Sequence, residues 1–397
     1  MIFLVISVTL VIGLCFVYFA YFLLMSRFQK IGANWIRSDE LKLKVSLIVA
    51  TYNEESTIPA KLKNILEQDY PKDQLELVII DSGSVDKTSQ IVNEFIQQNP
   101  NMNVIFIKEK ERLGKSHAVN IAYAKASGDI KIISDADALL TKSAITRLVG
   151  NFGDPTVGAA SGRQVLLNAD KNAPTLMEKS YGYFYEVLRE GESVLDSTPI
   201  FRGELAGYRA NLIEPLPENK SADDSRLANI IRTKGYRAVS DSTAVFYEYS
   251  PPNLRSIFLQ KVRRGQGLIR VFWDFKSCMF KKKYGRYGQI ILPMEFLMHC
   301  IFPSVWLILF AASFLALLLT YPIMLLIILA VFAGLFVLGR TKGENGLLKK
   351  AKRISSITFN FFLSQLILVY ALILWIFGHS LHKWQKVEET REEWKQA

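Results

Sequence analysis

The chain has few of the side chains that build cross-links or metal centres. It contains three cysteines and four histidines in 397 residues. Cys15, Cys278 and Cys300 are odd in number and widely spaced, which excludes a disulfide framework and a zinc-binding pattern. The sequence also lacks a G-x-S-x-G nucleophile motif and a phosphate-binding P-loop. These absences argue against serine-hydrolase and P-loop NTPase chemistry.

Charge is missing from three long stretches. Residues 1–26, 296–339 and 354–381 contain no Lys, Arg, Asp or Glu. A helix needs roughly 20 apolar residues to cross a bilayer core of about 30 Å. We therefore expect one span in the first stretch, two in the second and one in the third. The sequence therefore predicts an integral, multi-pass membrane protein with about four transmembrane helices, one in residues 1–26 and about three in residues 290–382. Half of the residues are hydrophobic, which excludes disorder.

Basic residues lie beside these stretches and give the chain a net charge of +11. Their placement indicates anionic membrane lipids, and no nucleic acid, as the partner. Residues 254–286 are basic and amphipathic, which predicts a helix in the membrane interface. The first stretch lacks a basic n-region, so we expect a retained anchor. Positive-inside bias predicts an outside N-terminus and a cytosolic catalytic domain, and four spans would put the charged tail, residues 383–397, outside.

Residues 43–250 alternate short apolar runs with helical patterns. Strands are expected at residues 45–50, 75–80, 104–107 and 130–133, with helices at residues 58–68, 88–96 and 117–126 between them. This alternation predicts an α/β domain with a doubly wound, mostly parallel sheet. The less regular residues 151–249 are expected to extend the same domain towards an acceptor.

Polar clusters follow three of these strands. They are Asn53-Glu54, residues 81–84 and residues 135–137. Ligands of such sheets bind at the carboxyl ends of the strands, so we expect the clusters to converge on one crevice.

Asp135 and Asp137 are the candidate metal ligands, because carboxylates on a loop suit Mg²⁺ or Mn²⁺. An EF-hand is excluded, since Leu139 stands at its third ligand position and Leu140 replaces its glycine. A solvated acidic loop remains the alternative.

Other candidate groups are individually weak signals. Asp81 could accept a hydrogen bond from a nucleobase, or simply begin a turn. Lys115 opens a helix, where an ammonium and backbone amides can face a phosphate. Asp223 and Asp224 offer a general base, although acids are common at helix N-termini. Gln260, Arg263 and Arg264 could bind a pyrophosphate or an acceptor, or form a membrane-surface face.

The ordered set of these motifs resembles the family 2 inverting glycosyltransferases with the GT-A fold. The motifs are ATYNEE at residues 50–55, IDSGSVDKT at residues 80–88, Gly114-Lys115, Asp135-Ala136-Asp137, Asp223-Asp224 and QKVRR at residues 260–264. The membrane layout is similar to that of the hyaluronan, cellulose and poly-N-acetylglucosamine synthase branch. The resemblance covers roughly residues 45–270.

The resemblance implies roles for the matching positions. Tyr52, Glu54 and Asp81 would hold the nucleoside, Lys115 the donor phosphates, Asp135 nucleotide and metal, and Asp137 the metal. Asp224 would be the base, with Asp223 beside it. Gln260 and Arg263 match the QxxRW element that helps hold the diphosphate. Arg264 replaces its tryptophan, which is associated with processive synthesis, and Ser82 replaces a frequent second aspartate.

The expected function is transfer of a sugar from a nucleotide sugar, with UDP favoured, to a growing polysaccharide or lipid-linked glycan. A polyprenyl-phosphate sugar synthase is the alternative within enzymes, but it has little need of the Asp223-Asp224 pair. A non-catalytic membrane scaffold or channel that kept the fold is the alternative of another class.

Overall fold

The computed structural model describes residues 2–218, 220–340, 346–381 and 388–396, so part of the basic segment at residues 340–353 and the tail residues 382–387 lie outside its description. In chain order the elements are α1 (Ile2–Ile31), β1 (Val45–Thr51), α2 (Ile58–Leu66), β2 (Leu75–Asp81), α3 (Thr88–Gln98), β3 (Asn103–Lys108), α4 (Lys115–Lys125), β4 (Ile130–Ile133), β5 (Leu139–Leu140), α5 (Ala144–Gly150), β6 (Val157–Leu166), α6 (Ala173–Leu195), β7 (Ala206–Arg209), α7 (Asp223–Thr233), β8 (Arg237–Glu248), α8 (Leu254–Asp274), α9 (Leu292–Phe296), α10 (Phe302–Thr320), α11 (Pro322–Arg340), α12 (Gly346–Ile376) and α13 (Glu388–Gln396).

The strands form one mixed sheet in the order β3-β2-β1-β4-β7-β6-β8-β5. Strands β3, β2, β1 and β4 are parallel, which confirms the predicted doubly wound half. Strand β7 joins antiparallel to β4 and to β6, so the less regular second half continues the same sheet. The fold is therefore α/β with a GT-A-like arrangement, and its parallel half is the one that carries the polar strand ends.

Strands β1 and β2 are buried along almost their whole length because helices cover both faces of the sheet. Successive side chains alternate between two cores. Leu47 and Leu77 pack on one face, and Ile48 and Val78 pack on the other. This packing fixes the strand ends, and with them the loops that follow.

Helix α1 is packed against the α/β domain along α6. The Tyr21 hydroxyl donates a hydrogen bond to Glu192 Oε1 at 2.7 Å. A Cβ at Gly191 would lie 2.2 Å from the carbonyl oxygen of Met25, so the two helices approach at the level of their backbones. The N-terminal helix is thus part of the domain's own packing.

Within the described residues, three helices are long and apolar enough to cross a membrane: Val5–Ile31, Tyr287–Thr320 and Phe359–Ile376. A shorter apolar helix covers Pro322–Val331. These elements are roughly consistent with the expected four. Helix α8 confirms the predicted amphipathic helix, and its position in the interface stays a prediction.

The expectation that the tail lies on the opposite side of the membrane from the catalytic domain is wrong. Helix α13 packs on that domain, with Trp394 edge-on to Tyr249 at a centroid distance of 5.2 Å. A bilayer cannot separate two groups in contact, so this contact requires α13 and that domain to lie on one side. The apolar runs identified candidate helices, but apolarity does not decide which of them cross.

Candidate active site

The loops after β1 and β2 are tied to each other at the carboxyl edge of the sheet. Asn53, in the left-handed region at φ 53°, donates its backbone N–H to Ser84 Oγ at 2.8 Å. Its side-chain oxygen accepts the N–H of Val85 at 2.9 Å. Because β1 lies between β2 and β4, the loop at residues 135–137 reaches the same place. The predicted convergence of the three clusters is confirmed.

These loops line one pocket, here called the donor pocket. Of the residues predicted to hold donor or metal, it brings together Tyr52, Glu54, Lys115, Asp135 and Asp137. Its other lining residues are Ala50, Thr51, Ser82, Arg112, Gly114, Ala118 and Ala136.

Asp81 is placed differently from the other predicted donor residues. Its side chain is buried, and its carboxylate accepts hydrogen bonds from the hydroxyls of Ser84 and Ser89. Ser82, the next residue, lines the pocket instead. Asp81 therefore shapes the loop after β2, and its contact with a nucleoside stays a prediction.

A cation and a helix N-terminus face the donor pocket together. Gly114 has φ 116°, a conformation that a side chain would strain, and α4 begins directly after it. Burial would lower the pKa of Lys115, but Asp135, 2.6 Å away, raises it above its ordinary value. Lys115 therefore stays charged beside backbone N–H groups, an arrangement that suits a phosphate.

Asp135 and Asp137 fit a divalent cation that shares its ligands with a phosphate. Both carboxylates line the pocket and are partly exposed, at 28% and 26%. No group of three Asp, Glu, His or Cys ligands occurs among the described residues. Mg²⁺ and Mn²⁺ commonly use one or two carboxylates and complete their shell with water and phosphate oxygens, so a pair is sufficient.

Lys61 supports the loop that carries these acids. It is fully buried, and its ammonium donates to Ser134 Oγ and to the Ala138 carbonyl, both at 2.6 Å. Burial lowers the pKa of Lys61 to about 7, against the opposing effect of Asp135 and Asp137. The signal was in the sequence: a lysine stands among the apolar positions of α2's buried face.

The candidate base lies at the start of α7. Asp223 Oδ1 accepts a hydrogen bond from Ser116 Oγ at 2.8 Å, which brings the first turn of α7 to that of α4. Burial raises the pKa of Asp224 to about 7, and the charge of Glu204 adds to the rise. A Cβ at Gly203 would lie 3.4 Å from the Asp224 carboxyl carbon, so a glycine keeps space beside this carboxylate.

The predicted element at residues 260–264 is divided between two cavities. Arg263 lies near the donor side: burial lowers its pKa to about 10, and the nearby charges of Asp135 and Asp223 oppose the fall. Gln260 and Arg264 instead line a second cavity between α6, α8 and α12. We name it the acceptor cavity after the role that the sequence resemblance predicts for this element. Its polar lining includes Gln164, Glu178, Tyr181, Arg202, Glu248, Lys261, His299 and Ser364.

Glu204 is a site residue that sequence reasoning did not assign. Arg264 donates to it at 2.6 Å. Burial would raise the pKa of Glu204, but Arg264 and Arg202 lower it to about 2. Its negative charge therefore persists between the acceptor cavity and Asp224. Arg112 was also missed; its guanidinium lies 4.1 Å from the centre of the Tyr52 ring.

Comparison with known families agrees with this arrangement. The model described as "Glycosyl transferase family 2" matches residues 46–216. The model described as "Glycosyl transferase family group 2" matches residues 132–338, more than half of the chain. The chain belongs to the family 2 glycosyltransferases. The matched ranges include every residue of the donor pocket described above.

A solved structure resembles this glycosyltransferase over nearly its whole length. It is the mannosyltransferase PcManGT from Pyrobaculum calidifontis in complex with GDP-Man and Mn²⁺. The identity is 30%, the TM-score is 0.74, and the match covers 92% of this chain and 97% of that one.

Two curated relatives match a shorter part of the glycosyltransferase. The probable glycosyltransferase YdaM of Bacillus subtilis (strain 168) is 28% identical over 65% of this chain and 63% of its own length. The poly-beta-1,6-N-acetyl-D-glucosamine synthase of Staphylococcus aureus (strain COL) is 26% identical over 64% of this chain and 61% of its own. The matches thus span less than two thirds of either relative.

Proposed function

We propose that the protein is a membrane-integrated, metal-dependent, inverting glycosyltransferase that uses a nucleoside diphosphate sugar. The observation that carries this proposal is the position of Asp224. Its carboxylate, with a pKa of about 7, lies at the start of α7, which Ser116 joins to the phosphate-facing end of α4. A base and a diphosphate site are therefore adjacent.

The proposed step is a single displacement. An acceptor hydroxyl attacks the anomeric carbon of the donor sugar, and the new C–O bond forms as the bond to the diphosphate breaks. The hydroxyl proton goes to Asp224, and the nucleoside diphosphate leaves on the face opposite the acceptor. Attack from the opposite face inverts the configuration at that carbon.

Lys115 and Arg263 stabilise the departing diphosphate. Lys115 remains charged through its ion pair with Asp135, and Arg263 approaches the same acids from α8. Asp135 and Asp137 would hold Mg²⁺ or Mn²⁺, which when bound supplies charge stabilisation to the leaving group. Tyr52 and Glu54 would bind the nucleoside.

The donor is a UDP-sugar or GDP-mannose. The sequence motifs favour UDP, whereas the relative that aligns over nearly the full chain was solved with GDP-Man and Mn²⁺. The acceptor is a growing polysaccharide or a lipid-linked glycan, held in the acceptor cavity. That cavity lies beside the apolar helices, since Ser364, Ile367 and Leu368 of α12 line it.

Purified full-length protein with a panel of UDP-sugars and GDP-mannose, with and without Mn²⁺ or Mg²⁺, tests this function. We expect metal-dependent transfer with inverted anomeric configuration, determined by NMR of the product. A product extracted as a polyprenyl-phosphate sugar would favour the synthase alternative. Binding of donors without turnover on any acceptor would favour the scaffold.

A further inference from the structure

Helix α13 places a cation against two residues that line the donor pocket. Arg391 is 3% exposed. Its Nη1 donates to Asp137 Oδ2 at 2.6 Å, and its Nη2 donates to Glu54 Oε1 at 2.7 Å. One guanidinium thus engages both the predicted metal ligand and a predicted nucleoside-binding residue.

Four contacts outside the donor pocket hold α13 in place. Glu389 accepts hydrogen bonds from Asn253, the N-cap of α8, at 2.8 Å and from Ser256, in its first turn, at 3.2 Å. Glu393 pairs with Lys171, before α6. Trp394 packs against Tyr249, after β8.

The chain is also fixed just before the tail. Gln266 of α8 donates to the His379 carbonyl at 2.7 Å and accepts the N–H of Leu381 at 2.8 Å. The tail therefore leaves α12 at a defined point beside the catalytic domain.

A cation bound at Asp137 would share that carboxylate with Arg391, which already engages its Oδ2. Mg²⁺ binds a carboxylate oxygen at about 2.0–2.1 Å, which would set two cations on the single carboxylate of Asp137. Like charges at that distance repel strongly in a partly buried site. Glu54 is likewise engaged, since its Oε1 accepts from Arg391 and its Oε2 accepts from the Thr57 hydroxyl at 2.7 Å.

We propose that α13 is an autoinhibitory plug, in which Arg391 occupies the metal position until a divalent cation and a nucleoside diphosphate displace it. The proposal rests on the proposed function for the identity of the displacing ligand. Arg391 then hinders binding of the donor, and undocking of α13 makes the donor pocket accessible.

Mn²⁺ binding to the full-length protein, measured by electron paramagnetic resonance without donor, gives the first test. Arg391→Gln should bind Mn²⁺ more tightly by roughly 10- to 100-fold, the factor expected when a competing charge-assisted hydrogen bond is lost. Glu392→Gln, an exposed acid on the same helix, is the matched control and should bind as the wild type does. Equal or weaker binding by Arg391→Gln overturns the proposal.

Trp394→Ala provides a second variant that leaves the donor pocket residues intact. It weakens the docking of α13 at Tyr249, so it should also tighten Mn²⁺ binding, by less than Arg391→Gln does. If Trp394→Ala has no effect while its tail is more easily proteolysed, the plug is disproved. Asp137→Ala should abolish the difference between all variants.

Trypsin cleavage after Arg391, followed by mass spectrometry, measures undocking directly. Cleavage should be slow in the free protein and at least several-fold faster with Mn²⁺ plus UDP or GDP. Slower cleavage with these ligands would make α13 a lid over the bound donor and would overturn the proposal. Neither readout needs sugar transfer, so normal transfer by Asp224→Asn would defeat the proposed base while leaving this result standing.

Discussion

Asp224 shows how burial sets the chemistry of a single residue. Burial, with the charge of Glu204, raises its pKa to about 7. A base acts only when deprotonated, so the transfer rate should rise as the pH increases through about 7 and level off above it. An exposed aspartate would already be deprotonated near pH 5. Rates of transfer measured at saturating donor between pH 5 and 9 test this rise.

Asp224→Asn should lower the transfer rate by roughly 10²- to 10⁴-fold, the usual contribution of a general base. The variant should still bind Mn²⁺ and UDP or GDP, because the asparagine keeps the shape of the site. A near-normal rate, or a transfer rate that still rises through pH 7 in the variant, would exclude Asp224 as the base.

Lys61 holds the loop that carries the proposed metal ligands, without lining the donor pocket. In Lys61→Met the hydrogen bonds to Ser134 and Ala138 are lost, while the buried face of α2 stays filled. We expect Mn²⁺ affinity to fall by roughly 10- to 100-fold, as for other residues that orient metal ligands.

Lys63→Met is the control for this change, because Lys63 is exposed on the same helix. It should leave Mn²⁺ binding unchanged. The melting temperature distinguishes a role in positioning the metal ligands from a role in overall stability. If Lys61→Met melts far below the wild type and loses Mn²⁺ affinity in proportion, the role of Lys61 is structural only.

At the scale of elements, the contact between α1 and α6 depends on Gly191. A Cβ there would meet the Met25 backbone at 2.2 Å. Gly191→Ala should destabilise the protein by about 1–3 kcal/mol, the usual cost of overpacking. Thermal unfolding in detergent measures the change.

Gly182→Ala, on the same helix, is the matched control. A Cβ there would meet nothing within 4 Å, so it should stabilise α6 by about 0.5–1 kcal/mol through helix propensity. If the two alanines have the same effect on the melting temperature, the close approach of α1 and α6 does not hold the anchor.

Elements were predictable where one local pattern determines them. The strands β1, β2 and β4 were predictable because short, uninterrupted runs rich in Val, Ile and Leu are typical of buried parallel strands. The antiparallel pairing of β7 with β4 was not predictable, because a short segment such as AGYR contains no pattern that indicates its strand partner. The acceptor cavity was not predictable either, because it is built from α6, α8 and α12, whose residues are far apart in the chain.

At the scale of the whole molecule, the contact of α13 with the catalytic domain predicts a membrane topology. We expect a cysteine at Glu392 and one at Val85, which is 88% exposed on the catalytic domain, to react with an impermeant maleimide from the same side of the membrane. A cysteine at Tyr321, between α10 and α11, should react from the other side. The background replaces Cys15, Cys278 and Cys300 with alanine.

Labelling of the Glu392 and Val85 positions from opposite sides would contradict the docking of the tail. Labelling of the Tyr321 position from the catalytic side would mean that α10 does not cross. Buried Phe246 replaced by cysteine serves as the negative control, since it should not react from either side without denaturant.

The sequence by itself determined the candidate membrane helices, the parallel half of the sheet and most of the donor pocket. Each depends on a local pattern: uncharged runs, apolar strands, and polar clusters at strand ends that a parallel sheet must bring together. The tertiary structure decided the rest. Lys61, Glu204 and Arg391 act through partners 60 or more residues away, and burial by those distant elements sets the pKa of Asp224. The tail's side of the membrane follows from such contacts too, because hydropathy measures each helix alone.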